Sequence, residues 1–159
     1  MKSKLTLALG AWLLASGAWA APDWSADVSA QSHEIKVFRS PTCGCCKAWV
    51  SHLREHNFQV QDIETDNMAS VKQALGVPAA LGSCHTAQVD GKVIEGHVPA
   101  NAIKAFLAKG EMAGAGLSAP GMPANSPGME QPGSTAMDFE VLEFNGMGKV
   151  EVFERFQSQ

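Results

Sequence analysis

The sequence predicts an α/β fold. Three observations carry that reading: alternating runs rich in Val, Ile and Phe, segments of helical periodicity interleaved with them, and an Asp-Gly step set between two further alternating runs.

Residues 33–39 (HEIKVFR) alternate and are rich in β-formers, which predicts a strand, and Pro41 breaks it. A helix follows from about Cys43 to His56, with Trp49, Val50 and Leu53 as its buried stripe and Asn57 at its end. Residues 58–63 predict a second strand. A second helix runs from Asp66 to Leu75, capped by Asp66 and stopped by Gly76, with Met68, Val71 and Leu75 on one face and Met68 in the core. Residues 84–89 and 92–98 flank Asp90-Gly91, the signal of a hairpin with a type I′ turn. Pro99 opens a third helix at its first position, with Ile103, Phe106 and Leu107 inside and Gly110 as its end. The order βαβα, β-hairpin, α over residues 33–110 is that of a thioredoxin-like domain, with C-x-x-C at the start of the first helix.

The composition then shifts. Residues 110–136 hold six glycines and four prolines, which predicts a long irregular segment. A closing hairpin follows, with strands 139–144 and 147–153 about Asn145-Gly146. That turn pairs Phe139 with Val152 and Val141 with Val150 on one apolar face. The ordered hairpin makes residues 111–137 a Gly/Pro/Met-rich strap that returns to the domain, with the hairpin (138–159) packed upon it.

The N-terminus speaks to compartment. Lys2 and Lys4 precede an apolar run from Leu5 to Ala15, and Ala18-Trp19-Ala20 is an A-x-A cleavage site. Residues 1–20 therefore read as a secretory signal peptide, followed by a polar lead-in over 21–32, and the protein is expected in the periplasm. No later run is long and apolar enough to span a bilayer. Cleavage leaves 139 of the 159 residues and takes the net charge from −4 to −6. An acidic chain carries no electrostatic footprint for nucleic acid or anionic lipid.

Three of the four cysteines, Cys43, Cys45 and Cys46, fall within four positions. Outside the cytoplasm four cysteines form disulfides, with three possible pairings, unless something occupies them. At a helix N-terminus the unpaired N–H groups favour thiolate, which suits either disulfide exchange or a metal. Helical geometry puts Cys43 and Cys46 on one face and Cys45 elsewhere, while Gly44 gives the backbone freedom to bring all three together. With Asp90-Gly91 as the turn, Val89 faces Lys92 and counting outward places Cys84 opposite His97, roughly 4.5–5.5 Å apart at Cβ. A one-residue slip puts His85 there instead. The bland alternative for His97 is a strand-end histidine touching solvent.

A periplasmic thiol–disulfide oxidoreductase using Cys43 and Cys46 is the alternative function. Against it, Thr42 stands where thioredoxins carry Trp, Ser83 rather than Pro precedes Cys84, and Cys45 would trap mixed disulfides. Sulfur ligands point to Zn²⁺, Fe–S or Cu(I). A structural zinc site uses two separated cysteine knuckles, and Fe–S clusters form in reducing compartments. Cu(I) accepts two or three thiolates and tolerates bridging sulfurs. Met112, Met122, Met129 and Met137, in or beside the strap, are soft donors that disulfide formation cannot remove. His52 and His56, an i,i+4 pair, read as a solvated helix side before a metal face.

Four motifs in order, PTCGCCKAW, GVP with L.SCHTA, IEGHVPA and PGMP..SPGME, resemble the CopG-type periplasmic copper-resistance proteins of bacteria. The resemblance spans residues 33–153. It implies a thioredoxin-like fold, export, and copper bound by cysteine thiolates; the thiolate chemistry points to Cu(I), and four thiolates exceed what one ion needs, so several ions per chain are expected. Cys43, Cys45, Cys46 and Cys84 match as metal ligands, with His97 and Met122 beside them. It also implies copper resistance by sequestration, by handover to periplasmic copper-efflux components, or by Cu(I)/Cu(II) conversion.

Overall fold

The computed structural model describes residues 31–130 and 138–157. The expected signal peptide, most of the lead-in and residues 131–137 of the strap lie outside the described residues. Seven strands and three helices make a mixed α/β structure: β1 (His33–Arg39), α1 (Gly44–Glu55), β2 (Phe58–Glu64), α2 (Met68–Ala74), β3 (Thr86–Val89), β4 (Lys92–Glu95), α3 (Ala100–Leu107), β5 (Gly116–Ser118), β6 (Phe139–Phe144) and β7 (Val150–Phe156). They form one sheet in the order β2-β1-β3-β4-β5-β6-β7. β1–β2 and β4–β5 are parallel, and the other neighbours are antiparallel. Among the described residues no helix is long and apolar enough to cross a membrane.

The pleat divides the core. Adjacent strand residues point to opposite faces, and Val93 and Ile94 belong to different apolar clusters. Ile94 joins Ile35 and Val37 of β1, Trp49 and Leu53 of α1, and Ile103 and Phe106 of α3. Val93 joins Leu81 and Phe144, with Leu75 and Val77 packed against them. Helices α1 and α3 thus cover one face, and the segment after α2 covers the other. The β3–β4 turn has Asp90 at φ 47° and Gly91 at φ 75°, the two left-handed residues that type I′ demands.

Four expectations are corrected. Met68 is half-buried and α2 buries no side chain: none of its residues joins an apolar cluster, and only Leu75, just past its end, packs against the smaller one. Its cap is Asn67, whose side chain accepts from Ser70 N–H, rather than Asp66. The Gly-rich segment is not irregular throughout, since Gly116–Ser118 form a strand between β4 and β6. The last hairpin turns over five residues: Asn145 Oδ1 accepts from Met147 and Lys149 N–H, Gly148 supplies φ 83°, and Phe144 pairs with Val150. Val150 and Val152 pair with Phe144 and Leu142 and are exposed, and Val141 lies opposite Glu154.

His52 is buried rather than solvated, and its Nε2 accepts from Ala100 N–H at 3.1 Å, closing the N-terminus of α3 that Pro99 caps. Burial, then the nearby His56, pushes its pKa down to about 3. The unfolded chain therefore takes up this proton first as pH falls. The contribution is whole above about 6.5 and is lost progressively toward 3, a span on the order of 3–5 kcal/mol. Denaturant unfolding of the metal-free protein should show this acid loss. His52→Gln, which keeps an acceptor and does not titrate, should flatten the pH profile; an unchanged slope would contradict the assignment.

Candidate metal centre

Helix α1 begins where β1 ends, so its first turn stands at one edge of the core. Cys43 is its cap, in extended conformation (φ −77°, ψ 96°), and Gly44 is already helical. The freedom of Gly44 is therefore not what gathers the sulfurs. The non-helical Cys43 swings back toward Cys45, leaving their sulfurs 3.5 Å apart. Cys43 and Cys46 are joined as a disulfide, and Cys45 and Cys84 are free. All four sulfurs lie within 4.8 Å of one another.

Cys84 arrives from the other direction. The β3–β4 ladder pairs Val89 with Lys92 and Thr86 with Glu95, and continues as Gly96 N–H to His85 O at 3.0 Å. Beyond it Cys84 Sγ lies 3.2 Å from His97 Nε2 and 3.3 Å from His85 Nδ1. These three groups form a second cluster sharing Cys84 with the first, again within 4.8 Å. Counting along the sequence places Cys84 opposite His97, or His85 in its stead after a one-residue slip; the structure gathers all three, because strand pairing ends at Thr86 and residues 84–85 leave the alternating pleat. The adjacent Cys84-His85 pair was the available signal for His85.

His97 is buried, not solvent-touching. Its Nδ1 lies 2.8 Å from the Pro127 carbonyl. A carbonyl only accepts, so Nδ1 carries the proton and Nε2 turns its lone pair to Cys84. Burial lowers the His97 pKa and pushes that of His85 well down, His85 also feeling His97 and Lys72. Both rings are therefore neutral, the form that binds metals. His85 Nε2 is buried without a hydrogen-bond partner. Burial, and then Cys45, pushes the Cys84 thiol up to about 11. A metal at Cys84 must displace a proton, and such a thiol is a poor exchange nucleophile at neutral pH.

The packing that holds these parts is specific. Trp49 is buried, donates its indole N–H to Val98 O at 2.9 Å, and lies 4.3 Å from the His85 ring. The strap passes Ser83, whose hydroxyl donates to Gly121 O, and Gly121 N–H bonds Gly82 O. Farther on, Gly128 (φ 85°) lies against α1 so closely that an added Cβ would meet Trp49 N at 2.6 Å and Cys45 O at 2.9 Å. Residues 127–128 thus touch the start of α1 and His97 together. Met122 is 57 % exposed, and Met129 is half-buried.

A family model described as "Protein of unknown function, DUF411" matches residues 81–129. The match holds Cys84, His85, His97 and residues 111–129 of the strap, and leaves out the first cysteine turn. No curated protein matches. Two solved structures do. "Copper resistance protein copG- Form 2" is 38 % identical, with a TM-score of 0.74 over 80 % of this chain and 100 % of its own. "Copper resistance protein copG- Form 1" is 39 % identical, with a TM-score of 0.73 over 79 % and 98 %. The chain belongs to the CopG family of copper-resistance proteins.

In this CopG-family chain the seat of Gly128 is a direct test of how the strap closes the site. Gly128→Ala should cost about 1–3 kcal/mol through overpacking and lift the strap from α1. Alkylation of Cys45 and Cys84 in the reduced protein should then quicken several-fold. Gly146→Ala, where a Cβ meets nothing within 4 Å, should change neither. Wild-type labelling in Gly128→Ala would show that the strap does not shield the thiols.

Proposed function

We propose that the chain is an exported, periplasmic copper-resistance protein that holds Cu(I) through the thiolates of Cys43, Cys45, Cys46 and Cys84. His97 serves as a nitrogen ligand and Met122 as a soft donor from the strap. The observation that carries this reading is the convergence of four sulfurs within 4.8 Å. Thiolate sulfur with imidazole suits Cu(I) and poorly suits oxygen-seeking cations such as Mg²⁺ or Ca²⁺. Four thiolates exceed what one Cu(I) needs, so more than one ion is held per chain. The strand order β2-β1-β3-β4, with α1 entering from β1, supports a thioredoxin-like scaffold beneath the site. Half-buried Cys43 and Cys45 leave a side from which copper-efflux components can take the ion.

The Cys43–Cys46 disulfide is the oxidised, copper-poor state, since two ligands are then covalently tied. Its reduced form can also supply the electrons for Cu(I)/Cu(II) conversion: the Cys43 and Cys46 thiols give one electron to each of two Cu(II), release two protons and close this disulfide. The same disulfide favours the second reading, a thiol–disulfide oxidoreductase. Insulin reduction by dithiothreitol separates them, because a copper site gives no acceleration there.

Native mass spectrometry of reduced protein with excess Cu(I) should show more than one copper per chain, and bound copper should protect the thiols from alkylation. Oxidised protein should bind none tightly. A stoichiometric zinc site that copper does not displace would sink the reading.

Met122 is tested separately. Its exposure means that Met122→Ala should leave thermal stability unchanged while Cu(I) passes faster to a chelator. Ile103→Ala, a fully buried core position, should instead cost about 2–5 kcal/mol and spare the site. Wild-type copper retention in Met122→Ala removes Met122 from the ligand set.

A further inference from the structure

Glu95 is fully buried on β4, where a carboxylate is costly unless it is paired and hydrogen-bonded. Its Oε1 accepts from the Ser83 N–H at 2.6 Å and from the Lys72 ammonium. Its Oε2 accepts from the Thr86 hydroxyl at 2.6 Å, and Lys72 Nζ donates to that same hydroxyl oxygen at 2.9 Å. Ser83 and Thr86 bracket Cys84 and His85 in the sequence. One carboxylate therefore holds both ends of the step that carries two groups of the metal centre. The neighbouring Gly96 (φ 73°) permits the close approach, since a Cβ there would lie 2.5 Å from Ser83 Oγ.

A buried ion pair is a weak stabiliser compared with apolar packing of the same volume. What it adds here is direction. Charge-assisted hydrogen bonds are short and oriented, and these fix a stretch, residues 83–85, that has no regular strand ladder to hold it.

We propose that Glu95, with Lys72 as its counter-ion, is a positioning residue for the copper site. It fixes residues 83–86 and so sets where Cys84 Sγ and His85 stand relative to the first turn of α1. The inference rests on the reading that Cys84 ligates copper, and deepens it.

The test compares wild type, Glu95→Gln, the double variant Glu95→Met/Lys72→Met, and Cys84→Ala, each reduced and loaded with Cu(I). Three readouts run in parallel: copper transfer to a Cu(I) chelator, the ultraviolet thiolate-to-copper band, and thermal unfolding of the metal-free form. The double variant removes both charges together, so its stability stays close to wild type while Ser83 N–H and the Thr86 hydroxyl lose their acceptor. Copper should leave it at least tenfold faster, with an altered band. Glu95→Gln, which keeps one acceptor oxygen, should fall between. Lys149→Met, which breaks an exposed pair with Glu151, should move none of the three readouts. Wild-type transfer and band in a folded double variant would overturn the inference. Should that variant not fold, wild-type transfer and band in Glu95→Gln overturn it. Cys84→Ala separates the two ideas: if it holds copper as wild type does, the underlying ligand reading is wrong. If it loses copper while the Glu95 variants do not, only the positioning role is wrong.

Discussion

The pairing of β3 with β4 is the constraint from which the site follows. Two left-handed residues at the turn leave one register, and that register puts Thr86 opposite Glu95. The chain then runs out with Cys84 and His85 on one side and His97 on the other. A slip of one residue would reverse every side chain, driving Ala87 and Ile94 out of the core in which both are fully buried. The ladder that builds the core thus also brings Cys84, His85 and His97 together.

The second half of the site depends on how α1 is docked. Trp49 ties the helix to Val98 beyond β4, and its ring lies on His85. Segments far apart in sequence therefore meet at one junction: the first turn of α1, residues 83–86, residues 95–98 and the strap at 127–128. Within it the donors are electrically quiet. Burial keeps both imidazoles neutral and the Cys84 thiol protonated. A soft cation bound there would change that balance, because the thiolates it creates would neutralise its charge. On the proposed reading, affinity rises with pH as long as Cys84 must lose its proton.

Much of this was legible in the sequence because the signals were local. Asp90-Gly91 names its own turn, and counting outward from it reaches Cys84 and His97 as neighbours. The clustered cysteines were visible by spacing alone. The parts that were not legible depend on partners distant in the chain. Three residues at 116–118 show no alternation, and they are a strand only because β4 and β6 flank them. Met68 fits an apolar helical face, yet whether that face meets the core depends on where α2 lies on the sheet. The turn at Asn145 looks like a two-residue hairpin, but the side chain of Asn145 captures two backbone N–H groups and lengthens it. Gly44 looked like the hinge of the cysteine turn, while the extended cap at Cys43 makes it.

The central claim is that copper sits on clustered sulfur in its reduced state. Copper K-edge X-ray absorption on the reduced, copper-loaded protein reads both parts at once. The account predicts a Cu(I) edge and a first shell dominated by sulfur, with imidazole nitrogen as the minor scatterer. A Cu(II) edge with a shell of nitrogen and oxygen alone would contradict it.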